Sequence, residues 1–557
     1  MSPLAKALSV AIFMSAAGHA AAADTATPAT RALGVIRSNP AATRLSAYDN
    51  FQVRGVIVDR DGTEHVRMDR TYQGLPVVGG DLVVHSKAGV LKRTSVTQAA
   101  PLNLSVTPTI TAQSAITAAG VQFGTKFDTV PKSGLVVYAR TAKPKLAYEV
   151  LYTGTKADGT PTRMHYYVDA ANGAILEKFD DIETGTLPGT GAQTGTPPTT
   201  PVTTPAIGPG NSLFAGNVTL NTQFNATRHI YELTDTTRGN THINDIGNGY
   251  RGAGTLIVDA DNKWGNGATN DRVSAAVDAA YGFAKTWDFY KTAFGRNGIR
   301  NDGVGAYGAV HYSVNYVNAF WNNGCFCMSF GDGNGTTVRP LVSIDIIGHE
   351  VSHGVTAATA NLVYSGESGG LNEATSDIMG TMVEFFANNP NQPPNYLIGD
   401  EIFITPAWNN YIRAMFKPRL GPDKTSPDCL PSATTPSNGI TYQNFTMMDP
   451  HYNSGVANHF FYLLAEGAVV PAGYEAGTPA NLGPSNLVCN GNVGLVGIGR
   501  DKAMQIWYRA LTTYFTSSTN YAAARVATVN AAGDLFGAGS AEQNAVTAAW
   551  DAVSMSP

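Results

Sequence analysis

The 557-residue chain reads as an α+β protein made of three consecutive parts. From Asp24 to Thr184 short apolar runs alternate with polar residues; Gly185 to Gly210 is dominated by Thr, Pro and Gly; beyond Val342 the pattern turns into long amphipathic stretches. Alternation with a period of two marks strands, and a period of about 3.6 marks helices. The expected architecture is therefore a separate β-rich N-terminal region, an exposed linker, and a two-lobed unit with a β-rich lobe at 211–355 and an α-helical lobe at 356–557.

Hydrophobic residues make up 43% of the chain and charged residues 14%, with a net charge of −5. There is enough apolar material for two or three domains with real cores. The basic footprint of a nucleic-acid binder is missing. No apolar run reaches the roughly eighteen residues of a spanning helix, so no membrane anchor is expected. Residues 1–23 carry one early lysine, Lys6, an apolar run from Ala7 to Ala17 and the small residues Ala20 to Ala23. That is the pattern of a secretory signal peptide, so the expected location is extracellular.

In the N-terminal region, 24–184, Leu82–His85 and Val90–Arg93 flank a Ser-Lys-Ala-Gly turn, and Met164–Val168 runs into the turn Asp169–Gly173. Both read as antiparallel hairpins. His65, His85 and His165 are scattered and read as strand-surface histidines. The segment 185–210 cannot bury a core and reads as a protease-accessible tether. Beyond it, Thr255–Val258 and Ala309–Tyr312 alternate around one helix at Val273–Phe294, the pattern of a mostly antiparallel lobe. Helical periodicity follows at 343–360, 371–388, 455–467 and 500–514. Four cysteines in an exported chain imply two disulfides, and of the three possible pairings Cys429–Cys489 is favoured, since both sit in Pro/Asn/Ser-rich loops. A metal site at Cys325 and Cys327 is the rival for the close pair, but no adjacent His or Cys completes it.

Within 343–360 stands His349-Glu350-Val351-Ser352-His353. Residues four apart share a helix face, so two imidazoles can ligate one metal while Glu350 reaches a metal-bound water. A third ligand is offered by Glu373, twenty positions on, in Asn372-Glu373-Ala374-Thr375-Ser376-Asp377. Asp377, one turn further, and Asn372 supply acceptors for the free imidazole nitrogens. A purely structural metal site in a binding protein has no use for a base at Glu350, and a zinc peptidase of another clan needs a histidine ligand soon after His353, which this chain lacks. The combined pattern resembles the thermolysin family of zinc metallopeptidases, nearest in motif to its pseudolysin and vibriolysin branch.

The resemblance covers roughly 209–557 and implies a thermolysin-like two-lobed catalytic domain. It implies that Asn318-Ala319-Phe320-Trp321 is an edge strand pairing with substrate backbone, and that Tyr364, Arg413, Asp449 and His451 complete the active site. Residues 24–184 then correspond to a pro-region that assists folding and inhibits the enzyme, with the maturation site in the linker. One catalytic Zn²⁺ is implied, held by His349, His353 and Glu373. Glu350 would act as general base, Tyr364 and His451 would meet the developing oxyanion, and Arg413 and Asn318 would fix substrate.

Asp345 interrupts an apolar run one turn before His349, and Glu384 lies three turns beyond Glu373 on the same face. Buried like charges need a cation between them, and oxygen-only ligands suit calcium. The family match puts a structural Ca²⁺ at Asp345, Glu384 and Asp400, helped by Glu401 or a backbone carbonyl. By the same alignment Val338, Leu341, Ile346, Ile398 and Ile412 line an apolar pocket with Arg413 at its rim, so peptide and protein substrates should be cut on the amino side of apolar residues. Departures from the family are the long linker, the loop 390–400 and the Cys325-Phe326-Cys327 insertion.

Overall fold

The computed structural model describes residues 26–156, 161–182, 203–422 and 424–554. The expected signal peptide and linker residues 185–202 lie outside the described residues. In the N-terminal region a nine-stranded sheet carries the helices Pro28–Ser38 and Ala112–Phe123. Both expected hairpins form, as Leu82–Lys87 with Val90–Val96 and as Pro161–Asp169 with Ile175–Asp180. The two halves of the sheet join where Leu75–Val78 runs parallel to Lys132–Tyr138.

Residues 203–210 are not linker. Thr203–Asn211 is a strand paired antiparallel with Asn217–Asn225 along its whole length. It forms the edge of a four-stranded sheet, where proline is tolerated because its missing N–H can face outward. The glycines serve close packing: a Cβ on Gly208 would lie 2.3 Å from the Asn262 carbonyl, and one on Gly210 would lie 2.6 Å from Val277. The adjoining six-stranded sheet is mixed rather than mostly antiparallel, with Thr241–Asp245, Tyr307–Tyr312 and Cys327–Gly331 running parallel. The 23-residue helix Arg272–Phe294 lies between the first two of these strands, and a crossover of that length returns the chain in the same direction.

In the second lobe the motif helix Ile344–Ala358 packs against the ligand helix Gly366–Ala387. Their crossing is made of glycine. A Cβ on Gly348 would stand 2.9 Å from the Gly380 Cα, and one on Gly380 would stand 2.5 Å from the Asp345 carbonyl. The ligand helix begins a turn and a half earlier than its apolar periodicity at 371–388 indicates, so Gly369 and Gly370 are helical. They are small because Pro450 and Asn453 press on them, within 2.7 and 1.9 Å of any added Cβ. Helices Gly455–Glu466 and Arg500–Thr513 form as expected, while the Ala-rich Tyr521–Phe536 and Ala541–Ala552 escaped notice because Ala marks no face.

The N-terminal region docks on the end of helix Arg500–Thr513. Buried Arg67 donates to the carbonyls of Phe515 and Thr512, Asp81 accepts from the Ser517 N–H at 2.9 Å, and Arg509 reaches Asp59 through two hydrogen bonds of 2.9 and 2.6 Å. Here the reading of His65 and His85 as surface residues is overturned. Paired across adjacent strands, both are buried, with their Nδ1 atoms 2.6 Å apart. His65 Nε2 lies 2.9 Å from Asp59, and His85 Nε2 lies 3.0 Å from Ser95. One proton order satisfies the chain: Ser95 donates to His85, His85 to His65, and His65 to Asp59. With both rings protonated, N–H would face N–H across the short Nδ1–Nδ1 gap. His165 likewise sits in a cluster, between Glu149 and Asp181 at 2.8 Å each.

Burial holds both His65 and His85 below the ordinary value of 6.5, with Arg509, Arg93 and Arg67 adding to the effect and Asp59 and Asp534 opposing it at His65. A depressed folded-state pKa contributes stability that is complete above 6.5 and is lost as the pH falls toward the folded value. The melting temperature of the intact chain should therefore drop between pH 7.5 and pH 5.5. A His65→Gln/His85→Gln variant should lose clearly less over that interval, and an equal loss would clear the pair of responsibility.

Candidate active site

His349 and His353 stand one turn apart on the motif helix, and their Nε2 atoms approach to 3.1 Å. Each Nδ1 is committed as a donor, to Asp377 Oδ1 and to Asn372 Oδ1, both at 2.8 Å. With the protons on Nδ1, the two facing Nε2 atoms both present lone pairs, an arrangement that repels unless a cation lies between them. Glu373, fully buried, sets its oxygens 3.6 Å from His349 Nε2 and 3.4 Å from His353 Nε2, and its Oε2 accepts no hydrogen bond. Ligand atoms about 2.0–2.2 Å from a tetrahedral zinc lie about 3.3–3.6 Å from one another. The three side chains thus have the spacing of a zinc half-cage. Glu350 also approaches the imidazole nitrogens, within 4.8 Å, and its Oε2 is held by the Trp321 N–H at 3.0 Å.

Tyr364 donates to Glu373, and its hydroxyl lies 3.2 Å from His451 Nε2. Asp449 accepts from the other nitrogen of that ring at 2.7 Å. Burial alone would lower the pKa of His451, but the carboxylates of Glu373 and Asp449 outweigh it and raise the value above normal. Arg413 grips Asp377 through two hydrogen bonds of 2.7 and 2.6 Å. Its first role is thus to hold the carboxylate that orients His349, with only part of the guanidinium left for the pocket.

Beside the zinc ligands opens a cavity of about 440 Å³. All five apolar residues expected there line it, Val338, Leu341, Ile346, Ile398 and Ile412, together with Asn318, Ala319 and Arg413. Ile402 and Phe403 complete the wall and were missed. They lie outside any periodic element, and Phe403 arrives only because it bridges to Val338 across the fold.

Residues 207–357 match the thermolysin metallopeptidase catalytic domain, and 360–555 match its alpha-helical domain. Over 529 residues the chain is 37% identical to bacillolysin of Bacillus cereus, an alignment covering 91% of this chain and 85% of that one. The chain belongs to the thermolysin family of metallopeptidases. Upstream, 49–95 match the fungalysin/thermolysin propeptide motif and 109–179 the peptidase propeptide and YPEB domain. A transglutaminase-activating metalloprotease of Streptomyces mobaraensis is 43% identical over 524 residues, 92% of this chain, which spans 62% of that protein's length. Among solved structures, the precursor of protealysin from Serratia proteamaculans aligns with 56% of this chain and 86% of its own at 27% identity and a TM-score of 0.43. As a member of the thermolysin family the chain is a metalloendopeptidase with a catalytic zinc and an N-terminal propeptide.

A second cluster of this thermolysin-family fold is purely acidic. Oxygens of Asp345, Asp400 and Glu401 lie within 4.8 Å of one another. Glu384 adjoins them, and Glu384 Oε1, Asp400 Oδ1 and Glu401 Oε2 are buried without hydrogen bonds. Burial first, then mutual repulsion, pushes Asp345 up to about 6, Glu401 up to about 9 and Glu384 well above its usual range. Both disulfides form: Cys429–Cys489, as favoured, and Cys325–Cys327.

Asn372 fixes the tautomer of His353 without touching metal itself. An Asn372→Ala variant should hold zinc about 10–100-fold more weakly, read by competition with a fluorescent chelator. Unchanged affinity would remove Asn372 from the site.

Proposed function

We propose that this chain is the secreted precursor of a zinc endopeptidase that cuts peptide bonds on the amino side of apolar residues and frees itself from its propeptide. The observation that carries the catalytic reading is the convergence of two imidazole lone pairs and one unsatisfied carboxylate oxygen, with Glu350 alongside. Zinc held by His349, His353 and Glu373 would polarise the substrate carbonyl and acidify a water. Glu350, steadied by the Trp321 N–H, takes the proton from that water and later passes it to the leaving amine. Tyr364 and cationic His451 donate to the oxygen on which charge develops, and Asp449 keeps His451 protonated. Asn318 and the strand Ala319–Asn322, which ends the order of its sheet, offer backbone partners to an extended peptide.

The apolar pocket supports selectivity for Leu, Ile, Val, Met or Phe just after the scissile bond, since burying such a side chain contributes about 1.5–3 kcal/mol. Export is supported by residues 1–23 and by two disulfides, which persist in oxidising compartments. Asp449 two residues before His451 supports the pseudolysin and vibriolysin branch. The domain limits we propose are a propeptide over 24–184, a maturation cut before the strand at Thr203, and the zinc cleft between the lobes 203–355 and 356–557. A structural calcium is assigned to Asp345, Glu384 and Asp400, with Glu401 as a further ligand.

Glu350→Gln should keep its zinc, lose activity at least about a hundredfold, and remain full length apart from the signal peptide when expressed alone. Mass-spectrometric mapping of cuts made by the wild type in a denatured protein should place most of them before apolar residues. A zinc-loaded Glu350→Gln protein that digests casein near normally would falsify the mechanism, and one that matures normally in a protease-free host would end the case for self-activation.

Calcium bound only to the folded state adds about 2.7 kcal/mol at a hundred times its Kd. Lowering free calcium from millimolar to micromolar should reduce the melting temperature and speed self-digestion with zinc retained. Glu401→Gln should blunt the response. An identical melting curve at both concentrations leaves the acidic cluster without a cation.

A further inference from the structure

The Cys325-Phe326-Cys327 insertion plays no part in the chemistry above, yet it shapes the cleft. Phe326 has a φ of 55°, a conformation costly for a bulky residue, and is clamped by the disulfide between its two neighbours. Its ring packs edge-on against Trp321 at 5.3 Å, and the guanidinium of Arg300 lies 3.8 Å over its face. Trp321, Phe326 and Arg300 therefore form a stacked rail running from the edge strand to solvent. Arg300 is exposed, and no carboxylate among the described residues stands within ion-pair distance of it.

Phe326 and Arg300 of this rail stand in one wall of a cavity of about 670 Å³ shared with the propeptide. The catalytic side presents Arg300, Asn323, Phe326 and Tyr364 with small and apolar residues, and it contributes no carboxylate. The propeptide closes the opposite side with Arg163, His165, Glu149 and Asp181, which satisfy one another's charges. Once the propeptide leaves, Arg300 is the one charge on this wall.

The position along the cleft follows from the fold. The apolar pocket takes in Ala319 from the edge strand and Ile346, His349 and Glu350 from the motif helix; the second cavity takes in Asn323, just past that strand, and Gly354, Ala357 and Ala358 from the same helix. Strand and helix thus advance together from one cavity to the other. Four residues of strand span about 13 Å, the length of roughly four residues of an extended substrate. With the residue after the cut bond in the apolar pocket, the second cavity receives the side chain of the third or fourth residue before that bond.

We propose that Arg300, seated on Phe326, forms an upstream subsite that selects substrates carrying an acidic side chain at the third or fourth residue before the scissile bond. This rests on the reading of the zinc cleft as a peptidase site. Purified mature enzyme would be given quenched-fluorescent peptides with a constant Leu after the bond and Glu, Gln or Lys at the second, third or fourth position before it. At the third or fourth position kcat/KM should rank Glu above Gln above Lys, with a Glu-to-Lys ratio of roughly tenfold at low salt that shrinks as salt rises. Arg300→Glu should invert the ranking, Arg300→Gln should flatten it, and Phe326→Ala should lower the ratio by freeing the guanidinium. Equal rates for the three charges at every position, or an unchanged ranking in Arg300→Glu, overturns the subsite. Failure of wild type to cut any of the peptides overturns the peptidase reading and the subsite with it.

Discussion

The crossing of two helices through Gly348 and Gly380 is the constraint on which the rest depends. Without side chains at that contact, the motif helix and the ligand helix approach until His349, His353 and Glu373 meet at 3.1–3.6 Å. A methyl group at either glycine would push the helices apart by more than the tolerance of a metal–ligand bond, because packed interiors have little room to relax. Gly369 and Gly370 do the same service against Pro450 and Asn453, drawing the His451 segment over the ligands. The catalytic centre is thus a consequence of where side chains are missing as much as of where ligands are present.

Close approach has an electrostatic cost, and the fold meets it in two ways. Around the zinc ligands the carboxylates are matched: buried Asp377 by His349 and Arg413, and exposed Asp449 by His451. Among the described residues no cation pairs with Asp345, Glu384, Asp400 or Glu401; all four have elevated pKa values, and the last three are left with an unsatisfied oxygen each. Neutral protonation or a bound cation are the two ways to relieve such a cluster. The interface with the propeptide is milder, built from one capped helix end, the Arg509–Asp59 pair and a histidine couple that holds a single proton order.

The chemistry was legible in the sequence because it is local. His349 and His353 are set four apart by helix geometry, Glu373 and Asp377 follow on one face, and the apolar pocket residues were found by alignment with the family. Long strongly periodic helices and the tight-turn hairpins were equally readable, since period and turn residues are properties of the chain itself. What misled was composition: Thr203–Asn211 has the Thr, Pro and Gly of a tether but is an edge strand, and Tyr521–Phe536 is too rich in Ala to show a face.

By itself the sequence determined which atoms could bind a metal, which residue could serve as base, and that a β-rich region precedes a helical one, because each of these is fixed by residue type and short-range spacing. Tertiary structure alone decided that His65 and His85 meet, that Arg413 spends its guanidinium on Asp377, that Ile402 and Phe403 join the apolar pocket, and that Arg300 stacks on Phe326. The physical reason is the same in each case. These contacts join residues from separate segments, and their partners are selected by the packing of whole elements, which no local pattern encodes.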